Sequence, residues 1–443
     1  MGQFWDRRDL IRRIYQALDI AGRAVEVVTN RQSRTQAGER ASPNLIPRED
    51  LELQSRPLIA EKVLTEASML LRTVVCLRES DTAVAQAVDK LAHRIAPYAR
   101  SESVMVALCR EPAFALDHAA AHIHLVDLGY SNEAIDRLLK EILNGEDTGR
   151  PERLPGQDLE HEWLKEVWSG GRMNAETHRD LVARTCMARR IDSLGASSFD
   201  LYAFTHVVLH ASDMGRHPVQ LPRPIAEIEE DADAAVAAAV DADNLDLTAE
   251  LLWTWPMLGL PWSPVATFGF GVLASAQDEL GFVPGPEYSV PNCKLLPPLL
   301  HEEYMLRTSY HANIVMGFLC ATALQLGRSP PASVAPLAAV SGVIDRITPL
   351  LDARTREPRW VAAFSRLDST QREALSSFAL TLALRRAASV HKMSLVRECL
   401  RIGLQCGLDD GPAFRQSLAL LRRATTLGCL GVGGHQHQTN ALA

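Results

Sequence analysis

The sequence predicts an all-α protein folded as an α/α toroid, a closed array of antiparallel helix pairs with about sixteen helices. Three observations predict it. Apolar residues recur at three- and four-residue spacing in nearly every segment, alternating β-branched runs of strand length are missing, and Gly/Pro clusters punctuate the pattern. Closure is preferred to an open superhelix because the expected helices are irregular in length, some connections are long, and polar residues interrupt apolar helices. An open solenoid would show clearer internal periodicity.

The first helix is expected over 5–28, in a segment that carries charge throughout. Residues 30–50 are rich in Arg, Ser, Gln, Pro and Glu and read as a mobile linker. Residues 1–56 therefore form an N-terminal helix and linker, 57–428 the α/α helical domain, and 429–443 a flexible tail. Within the domain, helical spacing places helices at 57–77, 82–96, 112–128, 132–144, 160–168, 175–188 and 198–213. The second half adds 224–240, 247–258, 264–279, 301–326, 333–351, 370–388, 394–406 and 412–427. Loops fall at the Gly/Pro-rich stretches 145–156, 215–224, 281–298 and 327–331.

The 443 residues are 47% hydrophobic and 23% charged, ordinary values for a globular chain long enough to bury a large core. A formal net charge of −8 supplies no basic field for nucleic acid or an anionic bilayer. The most apolar segment, 315–326, is too short to span a membrane and lies between Arg307 and Arg328. The N-terminus lacks the apolar stretch of a signal peptide, so a cytoplasmic location is expected. Eight cysteines show no CxxC or other tight metal spacing and read as free, mostly buried thiols. Six lysines against forty arginines, with abundant alanine, fit GC-rich coding and an actinobacterial origin.

The most informative segment for chemistry is FDLYAFTHVVLHASDMG, which carries Tyr202, His206, His210 and Asp213. The last three stand at i, i+4 and i+7 and share one face of a continuous helix. They can form a divalent-metal set, or an acid/base relay in which His206 is the base and Asp213 orients it. Equally, one histidine is buried, the other solvated, and Asp213 caps the helix end.

His118 and His122 repeat the spacing in LDHAAAHIHLVDLGY, where they serve chemistry or close helix packing. A third helix opens with His301, Glu302 and Glu303, and its Tyr310 and His311 lie further in; His311 would face the interior and need a partner. In DADNLDLTAELLWTWP, Asp241, Asp243 and Asp246 are metal or proton-donor candidates, or a solvated charge run at a helix start. Glu250 sits inside the apolar helix that follows, one turn before Trp253. Glu250, Trp253, Trp255 and Tyr310 are the candidate substrate-binding residues, and the aromatics are either pocket lining or core. Cys293, eight residues before His301, offers a pairing without diagnostic spacing. No GxSxG, Walker loop, HExxH or dinucleotide fingerprint occurs, so no nucleotide cofactor is expected and a divalent metal is the open possibility.

The phrases DHAAAHIHLVDLGY, FDLYAFTHVVLHASDMG, DADNLDLTAELLWTWPMLGLPWSP and SYHANIVMGFLCA resemble those of an uncharacterised actinobacterial family found among specialised-metabolite genes. The resemblance covers residues 118–321, implies a biosynthetic context, and draws attention to His122, His206, Asp213 and His311. A more distant similarity is to α/α-toroid cyclases of the terpenoid and lanthipeptide types. DADN ends in Asn244 where a class II terpene cyclase has its last aspartate, the class I aspartate-rich motif is missing, and the Cys-Cys-His pattern of zinc lanthipeptide cyclases is not visible. The expectation is an enzyme of specialised-metabolite or modified-peptide (RiPP) biosynthesis, a cyclase or lyase with His-centred acid/base chemistry on a small molecule or peptide. Catalysis falls to His206, Asp213, His311, His122 and Tyr202, and any metal to His206, His210 and Asp213. The rival reading is a noncatalytic helical scaffold that binds a peptide or protein through aromatic anchors near Trp253.

Overall fold

The computed structural model describes residues 4–36, 58–145, 151–335, 342–351 and 358–426. Most of the expected linker and all of the expected tail lie outside the described residues. Every element described is helical apart from one isolated bridge between Phe4 and Pro331. The α-helices, twenty among the described residues, are α1 (Arg7–Gln36), α2 (Ala60–Val74), α3 (Thr82–Ala99), α4 (Glu102–Arg110), α5 (Ala115–Asp127), α6 (Glu133–Asn144) and α7 (Pro155–Ser169). Next come α8 (Ala175–Arg184), α9 (Ser198–Ser212), α10 (Ile225–Asp241), α11 (Leu245–Leu258), α12 (Pro264–Leu280), α13 (Val290–Leu295) and α14 (His301–Gln325). The chain continues with α15 (Val343–Ile347), α16 (Arg359–Ser365), α17 (Ser369–Glu373), α18 (Ser376–Ser389), α19 (Met393–Cys406) and α20 (Pro412–Thr426). The all-α expectation therefore holds. Sequence spacing misses α4, α13 and α16, and the helix expected at 370–388 is split into α17 and α18. Of the helix expected at 333–351, the described part holds α15 and a short 3-10 helix at Thr348–Leu350; residues 336–341 lie outside the description.

Local chemistry sets the helix starts that matter for the site. Asn244 caps α11 by accepting from the Leu247 amide, and Ser197 and Asp200 form a reciprocal capping box on α9. Ser263 followed by Pro264 opens α12. The far end of α9 is unusual: Asp213, Met214 and Gly215 all adopt positive φ, at 48°, 58° and 86°. Non-glycine residues in that region are held there by their surroundings.

Two helices are apolar nearly all round and are accordingly central. α11 is buried from Leu245 to Met257, and α14 from Ala312 to Ala323. α14 packs on α1, α2 and α11, and the helices α2, α5, α7, α9, α11 and α14 form a cycle in which each touches the next. α1 contributes Leu10, Ile14, Ala17, Ala21 and Val25 to the same core, so it belongs with the helices that follow residue 57. A second apolar cluster, including Val343, Leu384, Val396, Cys399 and Phe414, joins α15, α18, α19 and α20. Among the described residues, no helix is long and apolar enough to cross a membrane.

Candidate functional site

Four helices of the cycle bring their polar side chains to one place. α2 supplies Glu66, α9 supplies Tyr202, Thr205 and His206, α11 supplies Asp246 and Glu250, and α14 supplies Tyr310 and His311. On α9 and α11 the i, i+4 spacing puts each pair on one helical face, and the Asn244 cap fixes where α11 begins.

His311 is the centre. Its Nε2 donates to Glu250 Oε1 at 3.0 Å and stands 3.8 Å from Asp246 Oδ1, while its Nδ1 lies 3.2 Å from Glu66 Oε2. The other oxygen of Glu250 accepts from the Thr205 hydroxyl at 2.6 Å, and His206 Nε2 is 3.7 Å away from it. Tyr202 donates to Asp246 Oδ2 at 2.6 Å, and the Tyr310 hydroxyl hydrogen-bonds to Glu66. Asp246 and Glu250 are 6% and 4% exposed, and Asp246 Oδ1 accepts no hydrogen bond from any described residue. One ligand atom each from Asp246, Glu250 and His311 lies within 4.8 Å of the others, the one such three-residue set among the described residues.

Three acids face one imidazole in a place that disfavours charge. Burial opposes ionisation of Glu66 and Glu250, yet both are held below the ordinary glutamate value, Glu66 by His311 together with Lys62 and Tyr310, and Glu250 by His311 together with His206 and Thr205. Burial would also discharge His311, but Glu66, Asp246 and Glu250 push its pKa well above the usual histidine value. Asp246 is the acid of the three most readily protonated: burial raises its pKa, Glu250 and Glu66 raise it further, and His311 and the Tyr202 hydrogen bond only partly offset them.

A cleft of about 390 Å³ reaches this centre, lined by Leu58, Ile59, Lys62, Asp246, Arg307 and His311 among others. Beside the cleft, Gly285 packs tightly on α14, where a Cβ would collide with the Thr308 carbonyl; its amide donates to Ser309 Oγ at 3.0 Å.

The structure separates several residues that sequence spacing groups together. Asp213 does not orient His206. It pairs with Arg72, at 2.6 Å to Nη1 and 3.0 Å to Nη2, and accepts from Trp163 Nε1 at 2.7 Å. The left-handed turn after α9 carries its carboxylate away from the face that His206 occupies. His210 is buried with its ring 4.9 Å from that of Trp163, and burial, followed by the charges of His206 and His124, pushes its pKa well below the usual value. His206, by contrast, is half exposed. The metal set His206, His210 and Asp213 is thus not the set that converges, because Arg72 saturates its carboxylate and the two imidazoles face different surroundings.

His122 is fully buried between Asp136, 2.8 Å from Nε2, and Arg100, which donates to Nδ1 at 3.2 Å. That arrangement is a packed structural histidine on the α5–α6 side. Trp253 stacks on Phe318 at 4.7 Å and donates to Thr322, and Trp255 is wholly buried beside Trp262, so neither lines the cleft. Tyr310 does line it. Asp241 pairs with Arg386 and accepts from Trp360, and Asp243 lies 3.8 Å from Arg359; of the three aspartates weighed as metal candidates, Asp246 alone joins the cluster. His301 bonds the Leu296 carbonyl at 2.9 Å rather than pairing with Cys293. Glu66, Lys62, Thr205 and Arg307 carry no sequence signal; Glu66 is one of two acids on an amphipathic helix, a position usually solvated.

No curated protein and no solved structure matches the chain. A family described as a domain of unknown function (DUF6895) matches residues 36–321, and with well over half of its length inside that match the chain belongs to this family.

Proposed function

We propose that the protein is a cytoplasmic, divalent-metal-dependent enzyme whose reaction centre is formed by Asp246, Glu250 and His311, with Glu66 beside them. The observation that carries this reading is the convergence of one imidazole and two nearly inaccessible carboxylates on one point, with Asp246 Oδ1 accepting no hydrogen bond from the described residues. A buried carboxylate oxygen without a partner is costly, and a cation is the partner that satisfies it. Nitrogen and oxygen donors without thiolate favour a cation such as manganese(II) or zinc(II) over one that prefers sulfur. Tyr202 and Thr205 support the ligand oxygens from behind, as second partners do in metal sites.

A cation here would act as a Lewis acid at the end of the cleft. Elimination or cyclisation suits such a centre, because both develop negative charge on a departing or enolising oxygen. The expected cyclase or lyase role in specialised-metabolite biosynthesis is proposed on that basis, together with the sequence resemblance. The cleft volume of about 390 Å³ favours a small molecule over a modified peptide. The α/α toroid belongs to the same proposal; the cycle of six neighbouring helices supports it.

Thermal unfolding with added manganese(II) or zinc(II) tests the metal reading. A ligand at a hundred times its Kd stabilises the native state by about 2.7 kcal/mol, so a rise of several degrees is expected for the parent and none for Asp246→Asn. An equal rise in both would place the bound metal elsewhere.

A further inference from the structure

His311 has two ring nitrogens, and its surroundings treat them differently. Nε2 faces the carboxylates of α11, with Glu250 Oε1 at 3.0 Å and Asp246 Oδ1 at 3.8 Å. Nδ1 faces α2, where Glu66 Oε2 is 3.2 Å away. Both of these atoms are buried, and neither has a hydrogen bond to any other described residue. A buried donor and a buried acceptor left only with each other are matched partners. The remaining oxygen of Glu66 lies 3.5 Å from the Nζ of Lys62, one turn earlier on α2, and the Tyr310 hydroxyl hydrogen-bonds to the same carboxylate. Helix packing delivers Glu66 to this place. Glu66 and Leu70 stand at i, i+4 on α2, and Leu70 meets α14 where Gly317 lacks a side chain. The Glu66 side chain is 13% exposed and is not among the residues lining the cleft, whereas Asp246 and His311 are.

We propose that Glu66 is the positioning residue of a carboxylate–histidine–metal unit: it accepts the Nδ1 proton of His311 and so presents Nε2 to the cation held by Asp246 and Glu250. The inference rests on the metal reading above and names the nitrogen that ligates. A neutral imidazole carries one proton, and the nitrogen that keeps it cannot ligate. With Glu66 at Nδ1 the proton stays there. The cation takes the place of the Nε2 proton that otherwise goes to Glu250, and that proton leaves to solvent. An acceptor at the second nitrogen also fixes the ring plane and makes Nε2 a more basic ligand. Glu66 itself supplies no ligand atom: the three-residue set that closes within 4.8 Å is Asp246, Glu250 and His311. Lys62 and Tyr310 in turn hold the Glu66 carboxylate where His311 needs it.

The test is titration of the full-length protein with cobalt(II), a spectroscopic stand-in for zinc(II) at nitrogen and oxygen donors, in the parent and in Glu66→Gln and Glu66→Leu variants. The cobalt-loaded parent in water is expected to show a strongly shifted, exchangeable proton resonance from His311 Nδ1–H, which vanishes in heavy water. Glu66→Leu should bind the ion about ten- to a hundredfold more weakly at unchanged stoichiometry, with that resonance lost to exchange. Glu66→Gln, whose amide oxygen still accepts a proton, should fall between the two. Circular dichroism confirms that the variants are folded, and Glu66→Gln carries the test if the leucine variant is not. Parent-like affinity and resonance in the variants overturn the assignment, because a carboxylate with only a structural role leaves both unchanged. Complete loss of cobalt uptake by folded variants makes Glu66 a ligand and overturns it as well. A parent that takes up no metal fails at the earlier step and overturns the metal reading itself.

Discussion

The residues most easily mistaken for chemistry are those that hold the helices in place. Arg72 is 3% exposed and clamps Asp213, Asp127 and the turn after α9 at once. Its Nε donates to Asp127 at 2.7 Å, and its carbonyl accepts from Arg216 Nη2 at 2.6 Å. Arg72→Met leaves the Asp213 carboxylate buried without its counter-charge, a change that costs about 3–5 kcal/mol. Urea unfolding should show that loss in midpoint, while metal uptake by the folded fraction is unchanged. Loss of metal with intact stability would instead make Asp213 part of the reaction centre.

Histidine burial gives a second residue-scale test. Burial, followed by the Arg72 charge, pushes the pKa of His124 from 6.5 down to about 3, and His210 is displaced in the same direction. A base whose folded value is depressed binds more protons when unfolded, so stability is complete above the unfolded value and is lost progressively as pH falls from 6.5 toward about 3. Each unit of depression corresponds to about 1.4 kcal/mol. Denaturation midpoints measured across that range should fall, and less steeply in His124→Asn than in the parent. A flat parent profile would contradict neutral burial of these rings.

At the scale of elements, the close approach of α14 to α1 and α2 depends on Gly317. A Cβ there would lie 2.6 Å from the Ala17 Cβ and 2.7 Å from Leu70 Cδ1. Gly317→Ala should therefore destabilise by about 1–3 kcal/mol, read as a lowered melting midpoint; an unchanged midpoint would mean that the three helices can separate without cost. Most helices were legible in the sequence, because amphipathic spacing and caps such as Asn132 and Ser197 act locally. The short helices α13 and α16 were not, since six or seven residues hold too little periodicity to register. Site membership was legible where a polar residue interrupts an apolar helix, as at Glu250, His311 and Tyr310. It failed where it depended on helix ends and partners. The i, i+7 spacing of His206 and Asp213 assumes continued helix, but the left-handed turn begins at Asp213 itself. Glu66 becomes significant only when α2 lies beside α14.

At the scale of the whole molecule, the family match begins at residue 36, the last residue of α1, yet α1 fills the groove along α14. Leu10, Ile14, Ala17, Ala21 and Val25 are all fully buried. Deleting residues 1–30 should expose the apolar side of α14 and abolish cooperative unfolding, as followed by circular dichroism and light scattering. A monomeric, cooperatively folding deletion would show that the matched region is complete without α1.

The cycle of helices and the cleft both take their significance from one centre. Elemental analysis of protein purified without chelators, beside a Glu250→Gln variant of equal solubility, tests that centre directly. About one divalent metal ion per chain in the parent and a clear deficit in the variant are expected, since a neutral amide is a poor ligand where a buried carboxylate served. Equal metal content in the two proteins, or a parent that remains empty after exposure to manganese(II) and zinc(II), would contradict a metal centre at Asp246, Glu250 and His311.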